Sequence, residues 1–358
     1  KLLKILIKQA KIMSQKYDVT VTNPPYMGTK GYSEKLKKYV ESNFKDSKAD
    51  MFAVFIEKCM QMTKENRYTS MITMHSWMFL SSFENLRNLI VDTREIDTLV
   101  HLGARAFAEI GGEVVQTVAW NMKNIKENKE NTYIRLTDYN NAKKKEKQFS
   151  NKENYYQTTQ QDFHKIPGSP IAYWVSDRVK EIFEKSEKLG EVGDASNGVQ
   201  TGNNDKYLRL WYEVNRNLTG LDLEKEKAES SHFKWFPYNK GGDYRKWFGN
   251  NNYLVDWENN GLRIKSEKNH CARGKENYFN SGITWSDITS GKPSFRFFSE
   301  GYLFDASGPS FFPREEARYI LALVNTDLVY RILSLINPTI HLQIRNFSSL
   351  PLLRGNTK

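Results

Sequence analysis

The chain has 358 residues, 39% of them hydrophobic and 27% charged, which fits a folded globular protein and excludes a disordered or fibrous one. Its 53 Lys and Arg outnumber 42 Asp and Glu, and the formal charge of +11 favours a polyanionic partner. Cys59 and Cys271 stand far apart and no Cys-x-x-Cys occurs, which excludes a disulfide framework or zinc ribbon and fits a reducing cytoplasm.

In chain order, residues 2–14 are apolar and basic. They are too interrupted by Lys for a signal peptide and predict an amphipathic helix covering a sheet. Residues 17–22 are β-branched and predict a buried strand, which the proline pair Pro24-Pro25 ends because proline cannot donate to a ladder. Gly28 and Gly31 predict a loop, and Ser33 caps a helix reaching about residue 43. Asp50 is a good cap for a further helix, in which Phe52, Phe55, Ile56, Cys59 and Met60 recur at helical spacing as far as about Lys64. Strands are predicted over 68–73, 96–102 and 114–122, with a helix over about 78–91. This alternation predicts an α/β fold with a parallel sheet, whose last two strands, joined by a Gly-rich loop, pair antiparallel.

From 123 to 165 the chain turns charged, with a basic run from Asn140 to Lys147, and Pro167 and Pro170 open a new region. A domain boundary is expected near 150–170 and drawn at 150, giving domains 1–150 and 151–358. The second is expected to be mixed α+β, with short β-like elements rich in Gly, Asn, Trp and Tyr and a helix near 314–336. No apolar run reaches transmembrane length. The six histidines lack metal-ligand spacing, so no metal is expected.

Asn23-Pro24-Pro25-Tyr26, directly after an apolar strand, is the strongest signal; by chance this tetrapeptide arises in roughly one chain in a thousand of this size. Open α/β sheets bind ligands at the C-terminal edge of their strands. An exocyclic amino nitrogen on a base is a poor nucleophile, because its lone pair is delocalised into the ring. Two acceptors aimed at its N–H bonds overcome this, and the Asn23 side-chain oxygen and the Pro24 carbonyl can supply them. The prolines fix two φ angles, so the carbonyls are aimed in advance. Tyr26 offers a ring on which a flat base can stack.

The tetrapeptide resembles the catalytic motif of S-adenosylmethionine-dependent amino-methyltransferases. With its surroundings (TNPPYMGTKGYSEKLKKYVESNF, SKADMFAVFIEKCMQMT, MITMHSWMFLSSFENLR, HLGARAFAEIGGEVVQTVAW, IPGSPIAYWVS, GVQTGNNDKYLRLW, KWFPYNKGGDYRKWFGNN and SGITWSDITSGKPSFRFF) the chain resembles the adenine methyltransferases of BREX phage-defence systems over nearly all of its length. More distantly it resembles type IIG restriction–modification enzymes.

The resemblance implies the C-terminal part of a Rossmann-like methyltransferase sheet in 1–150 and a target-recognition domain in 151–358. It implies S-adenosylmethionine as cofactor, and double-stranded DNA, with further defence-system proteins, as partners. It assigns catalysis to Asn23, Pro24, Pro25 and Tyr26, places Asp50 and Phe52 beside the cofactor, and sets Phe107 against the second face of a flipped base. The 22 residues before Asn23 hold no Gly for a cofactor turn, so the main cofactor half is expected upstream and this piece alone is expected to bind the cofactor weakly.

In the second domain, basic and aromatic residues alternate around Lys240, Arg245 and Lys246, and Gln200, Thr201, Asn203, Asn204 and Lys206 form a polar turn. Such side chains neutralise phosphates and read base edges, so these eight are the expected DNA contacts. Two other readings were open. A protein glutamine N5-methyltransferase uses the same tetrapeptide but lacks a long C-terminal domain. A non-catalytic DNA-binding module would not need the tetrapeptide intact.

Overall fold

The β-branched run Tyr17–Thr22 forms strand β1, and the prolines at 24 and 25 prevent the ladder from continuing. The computed structural model describes residues 2–107, 115–337 and 339–355. The chain divides into two units, Lys1–Glu184 and Lys185–Lys358.

The first unit runs α1 (Leu2–Ser14), β1, α2 (Glu34–Asn43), α3 (Met51–Met62), β2 (Thr63–Met74), α4 (Glu84–Thr93), β3 (Glu95–Gly103), β4 (Thr117–Lys123), β5 (Glu130–Arg135), α5 (Ala142–Gln148), β6 (Tyr155–Thr159) and α6 (Asp177–Lys185). Its sheet has the order β1-β2-β4-β3-β5-β6. β1 and β2 are parallel, as are β3 and β5, while β4 lies antiparallel between β2 and β3. One sheet face is covered by the apolar sides of α3 (Phe52, Ile56, Met60) and α4 (Leu86, Ile90, Val91), packed on Met71, Leu99, Val118, Trp120 and Met122. On β1, Val19 and Val21 stand 57% and 71% exposed.

Helix α1 forms as predicted but covers no sheet among the described residues, since Leu3, Ile5, Leu6, Ile7, Ile12 and Met13 are all exposed. The predicted strand over 114–122 is seen from Thr117, and the Gly-rich loop before it falls in 108–114, outside the described residues. β3 and β4 pair antiparallel, as that loop suggested.

The division falls at residue 184 rather than 150, because the charged stretch hides two strands and a set of buried ties. β6 extends the sheet through β5. The buried Gln160 side chain accepts from the Ile96 N–H at 2.7 Å and donates to the Val91 carbonyl at 3.1 Å. The buried Arg87 guanidinium donates twice to the Gly168 carbonyl, and Ile171 and Tyr173 enter the core of the first unit. Side-chain amides and charged groups that satisfy buried main chain in this way leave no hydrophobic periodicity to read.

The second unit is mixed α+β. One four-stranded sheet joins Leu303–Phe304, Trp235–Asn239, Tyr253–Asp256 and Leu208–Leu210. Another joins Arg296–Phe298, Gly282–Thr284, Ser310–Pro313 and Gly193–Ser196. Tyr238, Val255, Phe279, Leu303 and Phe304 are among its core residues. The single helix predicted near 314–336 is two, Ala317–Val324 and Asp327–Ile336, bent by 72°. Asn325 and Thr326 divide them, and the Thr326 hydroxyl caps the second by accepting from the Val329 N–H. No single helix among the described residues is long and apolar enough to cross a membrane.

Candidate active site

Asn23 is the first residue beyond β1, at the C-terminal end of a parallel strand, and its side chain is exposed. It lines a cavity of about 470 Å³ together with Val21, Thr22, Ser70, Asn121 and Trp120, among others. Pro24 is buried and Pro25 exposed, so the first proline anchors the bend and the second presents it. Tyr26 is half-buried. Its ring meets Phe52 edge-on at 6.1 Å, and Phe52 in turn lies 5.4 Å from Phe83. Burial raises the Tyr26 hydroxyl above its ordinary value.

Asp50 holds this loop against α3. Its Oδ1 accepts from the Met27 N–H at 3.0 Å and from the Phe52 N–H at 3.3 Å, and the Met51 N–H donates to the Met27 carbonyl at 2.9 Å. A single carboxylate therefore caps the helix and pins the residue after Tyr26. Asp50→Ala is expected to lower the stability of the protein by about 1–2 kcal/mol, because both N–H groups lose their acceptor; denaturant unfolding measures this. Of the two residues expected at the cofactor, Phe52 is 1% exposed and packs in the core, while Asp50 engages main chain through one oxygen. Phe107 follows β3 and is 37% exposed, and no ring contact joins it to Tyr26 among the described residues.

A second cluster, not foreseen from the sequence, lies where β2 and β3 end. His75 Nδ1 and His101 Nε2 share a hydrogen bond of 2.8 Å, and His101 Nδ1 meets the Tyr173 hydroxyl at 3.2 Å. Phe79 and Trp174 pack on the His101 ring, and the Arg135 guanidinium lies 4.8 Å over Trp174. Burial pulls His75 down to about 4. His101 is held well below its ordinary value by burial first, then by the charges of His75, Arg135 and Lys145. Both rings are therefore neutral at pH 7, and one passes its single N–H to the other.

A histidine depressed in the fold binds its proton more readily when unfolded, so its stabilising effect is full above 6.5 and is lost as pH falls toward 4. Acidification across that window is expected to cost roughly 3 kcal/mol through His75 alone. Urea unfolding at the two pH values reads this, and His75→Gln reduces the dependence.

In the second unit the eight expected DNA contacts divide into two places. Gln200, Thr201, Asn204 and Lys240 line a polar depression of about 400 Å³, joined by Asn269, Asp305 and Ser307 from distant segments. Thr201 is buried and donates to Asn204 Oδ1, so it shapes the turn. Asn203 caps the next helical turn through the Lys206 N–H, and the Lys206 ammonium pairs with Glu267 at 2.6 Å, which raises it. Lys240 lies 5.8 Å over the Tyr253 ring. Arg245 and Lys246 sit elsewhere, on the segment 243–250, where the Lys246 ammonium donates to the Asn325 carbonyl. Among the described residues no group of three or more His, Cys, Asp or Glu could hold a metal ion.

Comparison with known proteins matches residues 4–107 to the Eco57I restriction-modification methylase family. The adenine-specific methyltransferase PglX of Lacticaseibacillus casei (strain Zhang) is 40% identical over an alignment covering 99% of this chain and 31% of that protein. The adenine-specific methyltransferase BrxX of Escherichia coli O9:H4 (strain HS) is 39% identical over 98% of this chain and 29% of its own length. The chain thus spans about a third of the length of these relatives. In fold it resembles the type IIL restriction-modification enzyme MmeI, solved in complex with DNA. That likeness has a TM-score of 0.53 at 12% identity and covers 92% of this chain and 46% of that one.

Proposed function

The chain is a relative of the adenine-specific methyltransferases PglX and BrxX, and from that kinship we propose that it forms the catalytic-loop and target-recognition part of a DNA N6-adenine methyltransferase. The whole enzyme would act on an adenine flipped out of double-stranded DNA. Its first unit would be the C-terminal part of a Rossmann-like methyltransferase sheet, and its second the target-recognition domain. S-adenosylmethionine supplies an activated methyl group when bound. The reading places the protein in the cytoplasm, with DNA and other defence-system proteins as partners.

One observation carries the reading: an exposed Asn23 carboxamide stands at the end of a parallel strand, beside a cavity, on a bend braced by Pro24 and Pro25. Asn23 Oδ1 and the Pro24 carbonyl accept from the two N–H bonds of the adenine amino group. As the nitrogen becomes tetrahedral and its positive charge grows, these fixed dipoles stabilise it without reorganising. The Tyr26 ring receives one face of the base, and its edge contact with Phe52 sets its tilt. Phe107 takes the other face when DNA is bound.

The residues present fit the cofactor only from the loop side. Asp50 presents its Oδ2, which accepts no hydrogen bond among the described residues, and Phe52 contributes through packing.

On the second unit, Gln200, Asn204 and Lys240 meet the duplex directly. Thr201, Asn203 and Lys206 hold the turn that presents them. The test is to incubate the full-length protein with methyl-labelled S-adenosylmethionine and either duplex DNA or a glutamine-bearing peptide. Label at adenine N6 is expected. Label in the peptide and none in DNA would replace this reading with the glutamine one.

A further inference from the structure

Arg296 opens the strand Arg296–Phe298 and is 1% exposed. Its Nη1 makes only long contacts of 3.3–3.4 Å, to the Ser294 hydroxyl and carbonyl and to the Arg245 carbonyl. Among the described residues its Nε and Nη2 are buried with no hydrogen-bond partner. Burial first, and the neighbouring Arg245 second, bring the guanidinium down to about 10. A buried cation of this kind is costly unless something pairs with it. The two unpartnered donors belong to one edge of the guanidinium, the edge that grips two oxygens of a carboxylate or phosphate side by side.

The segment beside this group is unusual. Residues 243–250 pair along the strand that carries it, with the Trp247 N–H donating to the Phe295 carbonyl at 2.9 Å and the Phe297 N–H donating to the Trp247 carbonyl at 2.8 Å, and the Arg245 carbonyl meets the guanidinium Nη1 at 3.4 Å. The Arg245 N–H is held by the Ser294 hydroxyl at 3.0 Å. Trp247 and Asn250 adopt left-handed backbone at φ 77° and 63°, and Gly242 and Gly249 stand at φ 126° and 124° at either end. A bulky residue at positive φ is strained, and such strain collects at segments that move on binding. Tyr244, Trp247 and Phe248 are 61%, 52% and 61% exposed, so the cover turns three aromatic rings outward.

We propose that segment 243–250 is a cover over a phosphate site. When duplex DNA arrives the cover lifts, and Arg296 and Arg245 take one backbone phosphate between them while the exposed rings rest on the adjoining nucleotides. The inference rests on the DNA reading above and deepens it. Two adjacent guanidiniums favour a phosphate over the single carboxylate of a protein partner, and DNA supplies such phosphates at regular spacing.

The test uses the full-length protein with Arg296→Met and, as a surface alternative should that variant fold poorly, Arg245→Met. Removing an unpaired buried cation is expected to leave thermal stability equal or higher in Arg296→Met. Affinity for a duplex oligonucleotide is expected to fall about tenfold in either variant, and the slope of log affinity against log salt to become shallower by about one phosphate's worth, roughly 0.9. Arg296→Lys keeps the charge without the fork and is expected to keep the slope while losing part of the affinity. Amide exchange at Trp247 and Phe297 is expected to rise when DNA is added.

An unchanged affinity and slope in both Met variants would overturn the site. Unchanged exchange would overturn the cover. Protection of the parent by sodium phosphate, with DNA binding untouched by the substitutions, would assign the site to a free anion and overturn its place in DNA binding. A parent protein that binds no duplex DNA would remove the preceding reading as well, whereas a parent that binds and does not distinguish the variants removes only this one.

Discussion

Asn23→Ala in the full-length protein is expected to lower the rate of adenine methylation by roughly 10²- to 10³-fold while leaving DNA affinity and unfolding free energy nearly unchanged. The size follows from losing one of two preorganised acceptors at the nitrogen that gains charge, and the selectivity from the place of the side chain. Asn23 is exposed beyond the last β1 pair, so its truncation opens no cavity and frees no buried main-chain group. Single-turnover methylation and a duplex-binding titration on the same preparation separate the two effects. Equal methylation rates in Asn23→Ala and its parent would remove the tetrapeptide from the chemistry.

Phe52→Ala is expected to act oppositely, on the fold first. The ring is 1% exposed and bridges Tyr26 to Phe83 within the core of the first unit. Its removal is expected to cost roughly 3–5 kcal/mol, as loss of a fully buried aromatic does elsewhere. Tyr26 also loses the edge contact that sets its tilt, so surviving activity is expected to fall through a weaker hold on the base. Phe52→Leu fills part of the space and separates the terms: stability returns in part, while the aromatic edge stays absent. Denaturant midpoints and methylation rates are read together. A Phe52→Ala protein as stable as its parent would contradict the packing described for α3.

Much of the first unit was legible because its signals are local. The β-branched run before two prolines marked β1, Ser33 and Asp50 marked the starts of α2 and α3, and the Gly-rich loop between β3 and β4 marked an antiparallel pair. What escaped depends on residues that meet only in three dimensions. β5 and β6 lie in a stretch that reads as charged turns, and the Gln160 and Arg87 ties that fasten 160–168 to the first unit are single polar residues without periodicity.

The histidine pair joins residues 26 positions apart and became visible only once β2 and β3 were set on either side of β4. In the second unit Gln200, Asn204 and Lys240 were readable as a polar turn and a basic stretch, but Asn269, Asp305 and Ser307 share their depression through strand pairing alone. Arg296 lies in a run of aromatic residues, and nothing in its neighbours along the chain says that two of its donors go unmet.

The strand order of the first sheet has a consequence for the nascent protein. β2 and β3 are made before β4, yet in the finished sheet each of them pairs along one edge with β4. As the chain leaves the ribosome, two bare strand edges must wait until residues 117–123 have been synthesised and can slide in as a wedge. Through that interval the growing polypeptide is open to pairing with other chains, and a chaperone that masks strand edges would be most useful then.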